Sequence, residues 1–354
     1  MKTLCILFGG ANSEHEVSLR SAASVLENVD RQKYKVVTLG ITRDGRFLYY
    51  DGPTSLIKTG EWETSGRTVP AILSPDRSHG GILLLGSDGP TPLKVDVVFG
   101  VMHGKNAEDG TVQGLLELAE IPCVGSGVLA SALCMDKATA HAVFTGAGIK
   151  KTGLSVVSPG ELEDFENLER RLADELGYPM FVKPARAGSS VGVSRVENAR
   201  ELYDALSLAF AHDKKVVVEQ EVTGQEVECS VIGNENPIVA KVVGEIAPAD
   251  GFYSYDAKYL NDSAKLYIPA NISEKTAEEV REIAAKAYKV MGCAGFARVD
   301  FFVKESGEVL LNEINTIPGF TSISMFPKLF EASELPYGQL ITKLVEYALE
   351  NNLA

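Results

Sequence analysis

Residues 296–325 read FARVDFFVKESGEVLLNEINTIPGFTSISM, and the rest of the chain is organised around this stretch. Phe296 to Val303 and Val309 to Asn315 are rich in β-branched and aromatic residues and predict two strands. Glu305-Ser306-Gly307-Glu308 supplies the turn between them. Side chains alternate faces along a strand, so Arg298 and Asp300 share one face, and Glu313 and Asn315 share one face of the next. Folding the hairpin about Ser306-Gly307 brings Asp300 nearly opposite Glu313. Two carboxylates and an amide oxygen beside an arginine form an oxygen-rich site suited to Mg²⁺. Like charges facing each other across a hairpin are destabilising unless something neutralises them. Taken alone, one such pair also reads as a solvated polar face. Two features favour a metal and phosphate site instead. The apolar Val299, Phe301, Leu311 and Ile314 bury the sheet's other face, and the polar face runs into a Pro-Gly turn followed by Thr-Ser-x-Ser.

At 354 residues the chain exceeds one small core, and two or three domains are expected. A hydrophobic content of 45% and a charged content of 23% describe an ordinary globular protein. With 34 Lys+Arg against 48 Asp+Glu the formal charge is −14, which argues against nucleic acid or anionic membrane as the main partner. Cys5, Cys123, Cys134, Cys229 and Cys293 are scattered without metal-type spacing, as the reduced thiols of a cytosolic protein would be. No apolar run reaches membrane-spanning length, and the first is too short for a signal segment. A cytoplasmic location is expected.

The chain opens as a βαβ unit. Leu4 to Phe8 reads as a buried parallel strand ending in Gly9-Gly10, and Tyr34 to Ile41 as the next strand. Between them Ser13 as N-cap and Glu16 three residues on predict a capping box. No G-x-G-x-x-G is present, so a dinucleotide fingerprint is not supported. Taken alone, Glu14 reads as a favourable acid in the first helical turn. Residues 44–94 are rich in Gly, Pro, Ser and charge and predict short strands at best, at the periphery. Val95 to Met102 is strongly apolar and leads into His103-Gly104-Lys105-Asn106-Ala107-Glu108-Asp109-Gly110. Polar loops at the carboxyl ends of parallel strands are where open α/β sheets bind ligands, which makes His103 and Glu108 candidates. A loop histidine bonded only to backbone is the alternative.

Asp136 and Lys137 open a helix running to Gly146. A lysine at a helix start opposes the dipole, which suggests that Lys137 meets an anion. Tyr178 to Pro184 and Val193 to Val196 read as strands joined by Ala185-Arg186-Ala187-Gly188-Ser189-Ser190-Val191-Gly192. With Lys183 beside it, this loop suits a flap over nucleotide phosphates, although a plain hairpin turn would look similar. Val216 to Val222 carries Glu219 inside an apolar strand. After the expected strand Ile238 to Ile246 comes a loop of roughly twenty residues, longer than a compact domain tolerates without a functional reason. Its Phe252, Tyr253, Tyr255, Lys258 and Tyr259 suggest a lid over a ligand. Helices are expected over Glu274 to Met291 and Pro336 to Asn351.

Taken in this order, GGANSEHEVS, HGKNAEDGTVQG, SALCMDK, VKPARAGSSVG, FYSYDAKY, ARVDFF and NEINTIPGFTS resemble the D-alanine–D-alanine ligase family of ATP-grasp enzymes. The resemblance runs along the chain except around Phe47 to Leu93. It implies a mixed α+β and α/β fold in three parts. These are a Rossmann-like N-terminal domain over residues 1–122, a central ATP-grasp subdomain over 123–218 and a C-terminal one over 219–354. It further implies ATP, two Mg²⁺ (or Mn²⁺), D-alanine substrates and a homodimer. By motif match Lys137, Lys183 and Ser190 contact phosphates. Glu219 reads the adenine amino group, the Val222 backbone its ring edge, and Glu226 the ribose. Asp300, Glu313 and Asn315 hold the metals. Glu14 binds the ammonium of the first D-alanine, and Ser189 and Tyr259 link with Glu14 to latch the lid. Arg298 and the Gly319 N–H stabilise the oxyanion, while His103, Lys258 and Ser324 position the second D-alanine. Ala107 replaces the commoner Gly of the HG-x-x-G-E-D pattern, which touches the loop's backbone angles and not its chemistry.

The second substrate is the finer question. Vancomycin-resistance ligases that add D-serine resemble this chain closely at HGKN-x-EDG, SALCMDK and NTIPGFTS. They carry a basic residue where this chain has Met325, whose thioether would give a methyl group an apolar wall and a hydroxyl only a weak acceptor. D-Alanine is therefore expected in the second position, with D-serine as the alternative. A non-catalytic nucleotide-binding regulator would be expected to lose a metal ligand or Arg298, and neither is missing.

Overall fold

The computed structural model describes residues 1–188, 191–247, 265–321 and 323–351. Its first sheet has seven strands. The parallel centre is β1 (Lys2–Gly9), flanked by β2 (Tyr34–Ile41) and by Val97–Gly100. From Thr3 onward β1 is buried, as a strand covered on both faces must be. The Gly- and Pro-rich segment does more than skirt this sheet. It adds β3 (Phe47–Tyr50), β4 (Thr68–Leu73), β5 (Gly81–Gly86) and β6 (Gly89–Lys94) as antiparallel strands, with Val97–Gly100 then completing the sheet as β7. Trp62 from the same segment is fully buried, edge-on to Phe8 with ring centroids 4.9 Å apart. The peripheral role expected for residues 44–94 is thus corrected: short strands extend a sheet when each pairs with its neighbour.

The first helix runs over His15–Asn28, and the expected capping box is absent. Its cap is Glu14, without a side-chain bond, and Glu16 pairs with Arg43 instead of turning back. Asn12 supplies the local order. Its Oδ1 accepts from the Glu14 N–H at 2.9 Å, and its amide donates to the carbonyls of His103 and Lys105. Glu14 is left to turn inward, where it is buried.

The second sheet is built from β8 (Leu154–Val157), β9 (Met180–Pro184), β10 (Ser194–Val196) and β11 (Val216–Gln220). The third comprises β12 (Gln225–Gly233), β13 (Ile238–Val239), β14 (Gly244–Ala247), β15 (Lys265–Tyr267), β16 (Gly295–Val303) and β17 (Val309–Asn315), with β17 at one edge. The single strand expected over Ile238 to Ile246 is therefore two. The hairpin of β16 and β17 pairs Arg298 with Asn315 and Asp300 with Glu313. One detail escapes simple alternation. The ladder steps from Phe301–Leu311 to Asp300–Glu313, so Asn312 is a bulge with no residue opposite it. Strict alternation would put Leu311 and Glu313 on one face. The bulge lets Leu311 be fully buried while Glu313 stays partly open.

The apolar cores cross between sheets. Leu4, Ile6 and Phe8 of β1 share a core with Phe296 of β16 and with Leu340, Ile341 and Leu344 of the C-terminal helix Tyr337–Asn351. Cys134 of the helix Val128–Met135 and Phe144 of the helix Lys137–Gly146 share a second core with Val227 and Val299 of the third sheet. Among the described residues no helix is long and apolar enough to cross a membrane.

Candidate functional site

The antiparallel register of β12, β16 and β17 sets Glu228 opposite Asp300 and Asp300 opposite Glu313. Three carboxylates thus stand in a row across neighbouring strands. Arg298, two residues from Asp300 and on the same face, answers them with a fork. Its Nε and Nη2 donate to the two Asp300 oxygens at 2.7 and 2.8 Å, and Nε lies 3.1 Å from Glu228 Oε2. Burial disfavours the Arg298 charge, but Asp300 and Glu228 outweigh it and hold the guanidinium well above its usual range. Asn315 Nδ2 donates to Asp300 at 2.8 Å. Two acids and an amide oxygen are the hard donor set that Mg²⁺ or Mn²⁺ takes when phosphate oxygens and water complete its shell. Among the described residues no group of three or more His, Cys, Asp or Glu side chains forms a metal site by itself.

A second group of charges faces this row from β9, β11 and the helix starting at Lys137. Lys183 Nζ donates to Glu219 Oε2 at 2.6 Å. Burial alone would neutralise both. Their pairing keeps the lysine above its usual range and the carboxyl below its own. Lys137 donates to the Ala187 carbonyl at 2.9 Å and lies 3.9 Å from Glu313. Its helix is capped by Asp136, whose side chain accepts from the Thr139 N–H and pairs with Lys215. Asn312 and Glu313 border two adjoining cavities. One is lined by Lys137, Lys151 and Glu219, the other by Glu226, Glu228, Arg298 and Asp300.

The third group comes from the first sheet. Gly104 has φ +71°, and a Cβ there would lie 2.2 Å from Glu14 Oε2; one on Gly188 would lie 2.8 Å from the same oxygen. The positive φ favours glycine at Gly104, and the two glycines let both loops approach the Glu14 carboxylate without displacing it. His103 is buried, with Nδ1 3.0 Å from the Ile317 carbonyl and Nε2 3.3 Å from Ser21 Oγ. Burial lowers its pKa despite the nearby Glu14, so it is a neutral strut between the first and third sheets. Ser324 is the cap residue of the helix Met325–Ala332, just past Gly319, and its Oγ accepts from the Thr321 N–H at 3.1 Å.

Glu108 keeps a partly open edge and accepts from the Gly104 N–H at 2.7 Å. Burial, with Glu14 adding to it, raises its carboxyl from 4.5 to about 8. The folded state therefore holds a proton there between these pH values that the unfolded chain has released, and stability falls as pH rises through that window. Glu108→Gln lacks this titration. Its melting temperature should drop less than the wild type's between about pH 5 and about pH 8. Equal drops in thermal melts at the two pH values would reject the assignment.

Of the residues singled out from sequence, Glu14, Lys137, Lys183, Glu219, Arg298, Asp300, Glu313 and Asn315 converge, and Val222 and Glu226 lie half-buried where β11 passes into β12. Ser189, Ser190, Lys258, Tyr259 and most of the expected lid lie outside the described residues. Met325 does not meet its expectation. It is buried in the core with Phe326 and Leu329, and a Cβ on Gly244 would lie 2.3 Å from its sulfur. The thioether packs against the sheet, which removes the reason for expecting it to wall a substrate pocket. Two residues escape the sequence reading. Glu228 was recoverable from the alternation Glu226-Val227-Glu228. Lys151 was not, because Lys150-Lys151 reads as a solvated charge pair. Its ammonium instead donates to the Asn312 carbonyl and is pushed by burial down to about 8, against the pull of Glu219 and Glu313.

Residues 3–126 match the family model described as D-ala D-ala ligase N-terminus, and residues 143–346 match D-ala D-ala ligase C-terminus. The N-terminal match includes the segment around Phe47 to Leu93 that the motif resemblance left out. A D-alanine–D-alanine ligase of Ruminiclostridium cellulolyticum is 48% identical over 99% of this chain and 96% of its own. One from Thermoanaerobacter sp. is 47% identical over 99% and 97%. Among solved structures, the VanG D-Ala:D-Ser ligase from Enterococcus faecalis superposes with TM-score 0.89 at 41% identity, covering 98% of this chain and 99% of that one. The D-alanine-D-alanine ligase from Coxiella burnetii gives TM-score 0.87 at 34% identity, covering 100% and 96%.

Proposed function

The chain belongs to the D-alanine–D-alanine ligase family, and from that premise we propose that it joins two D-alanine molecules into D-alanyl-D-alanine for peptidoglycan precursor synthesis. The reaction cleaves ATP to ADP and phosphate by way of an acyl phosphate. The observation that carries this reading is the meeting of three groups: the carboxylate row with Arg298, the lysine–glutamate network, and Glu14 beside Gly104 and Gly188.

Asp300, Glu313 and Asn315 would hold two Mg²⁺ or Mn²⁺, which when bound neutralise charge on the transferring phosphoryl group. Glu14 takes the ammonium of the first D-alanine. That substrate's carboxylate attacks the γ-phosphate in line, while Lys137, Lys183 and Arg298 offset the charge that develops. Ser190 joins the lysines on the phosphates, Glu219 and the Val222 backbone read the adenine, and Glu226 holds the ribose. The neutral amine of the second D-alanine then attacks the acyl carbon. Arg298 and the Gly319 N–H receive the oxyanion, and phosphate leaves. Ser324, Lys258 and the His103 strut position that amine. Ser189 and Tyr259 latch a lid through Glu14, which keeps water from the acyl phosphate. Residues 1–122, 123–218 and 219–354 are the three working parts of a cytoplasmic homodimer. The net charge of −14 disfavours attachment to an anionic surface.

ADP release with D-alanine as the sole amino acid tests the reaction, and no release above background would overturn it. D-Serine in the second position is the rival reading, favoured by the likeness to VanG. Relatives of higher identity that bear the D-alanine–D-alanine name support D-alanine. With both amino acids at equal concentration, D-alanyl-D-alanine should be the main product, and an excess of the mixed dipeptide would reverse the assignment.

A further inference from the structure

We propose that Lys151 is a positioning residue for Glu313: its ammonium holds the carbonyl of the bulge residue Asn312 and so keeps Glu313 turned toward the nucleotide pocket. A strand at the edge of a sheet leaves one row of backbone groups without a partner strand, and a bulge adds a residue outside the ladder. β17 has both features. The dipeptide Lys150-Lys151 docks on this edge. The Leu311 N–H donates to the Lys150 carbonyl at 2.9 Å, Lys151 forms a parallel bridge with Leu311, and the Lys151 ammonium takes the next carbonyl, that of Asn312. The Phe144 ring lies under the same ammonium, 5.5 Å from its centroid.

The position of that contact gives it consequence. Leu311 on one side of the bulge is fully buried and Glu313 on the other faces Asp300, although the two are separated by a single residue. A slip of one residue in a strand sends every following side chain to the opposite face. Without the bulge, Glu313 would follow Leu311 into the core and Ile314 would turn outward. Lys151 anchors the one residue whose extra length prevents this. It acts through backbone, and its partner sits immediately before the proposed metal ligand.

The inference rests on the ligase reading for the metal role of Glu313. Its test is Mn²⁺ binding to the ADP complex by electron paramagnetic resonance, beside ADP binding without metal by calorimetry, for wild type, Lys151→Met and Lys151→Gln. Removing a group that orients a metal ligand weakens metal affinity by about ten- to a hundredfold. Lys151→Met should show a loss of that size for Mn²⁺ over and above any loss in metal-free ADP affinity, which removing a cation from the cavity lining also lowers. Lys151→Gln keeps an N–H donor and should recover part of the loss, and it carries the test if the methionine variant fails to fold. Unchanged Mn²⁺ affinity in both variants, or an equal loss in metal-free ADP binding, would overturn the positioning role alone. A wild type that binds no Mn²⁺ with ADP would overturn the ligase reading with it.

Discussion

Glu313→Gln should keep the fold and lose turnover by about a hundredfold or more, the scale of the several kcal/mol that bound metals contribute to a phosphoryl-transfer barrier. The amide has the carboxylate's shape, so the hairpin and its bulge are retained. What disappears is one negative ligand facing Asp300. Stability should change little, because relief of the repulsion from Asp300 is set against lost attraction to Lys137 and Lys151. The loss should therefore appear in ADP release and not in the melting temperature. Near-wild-type turnover at saturating Mg²⁺ would sink the metal assignment.

Arg298→Lys should cost about a hundred- to a thousandfold in turnover, the range seen when one preorganised donor to an oxyanion is removed. A lysine keeps the positive charge but not the fork that reaches both Asp300 oxygens and Glu228 together. The charge alone should preserve the fold, whereas Arg298→Ala would strand two acids and destabilise the protein by about 3–5 kcal/mol. Comparing the two variants separates chemistry from stability. If Arg298→Lys stays within about threefold of wild type while it melts normally, the oxyanion role is wrong.

The hairpin is legible in the sequence because alternation is a local rule, but the ladder that runs from Val303–Val309 to Phe301–Leu311 would set Asp300 opposite Asn312, and the bulge is what brings Glu313 there. The same rule, applied without a bulge, cannot place Leu311 and Glu313 on different faces. Nothing local marks Asn312 as the extra residue, and the lysine that secures it comes from far earlier in the chain. Met325 shows the converse failure. Its place after a polar Thr-Ser-x-Ser run suggests a pocket wall, but the missing side chain of Gly244 opens a slot on the third sheet that the thioether fills. At the first helix, the S-x-x-E pattern is a sound local signal overruled by Asn12, whose long-range bonds to the His103 loop fix the path of the chain into the helix. The segment 44–94 has the short strands its composition suggests, but that composition does not show that they extend the first sheet or that Trp62 is buried against Phe8.

The shared core also governs the order in which the chain can be completed. Leu340, Ile341, Leu344, Val345 and Ala348 share one core with Leu4, Ile6 and Phe8, and their helix packs on β7 and the first helix, so elements made early in synthesis are covered by one made far later. The first helix and Trp62 can cover part of that face of the opening sheet on the ribosome, and the remainder waits for Tyr337–Asn351. The opening part can thus begin to fold early but completes its core only when that last helix arrives.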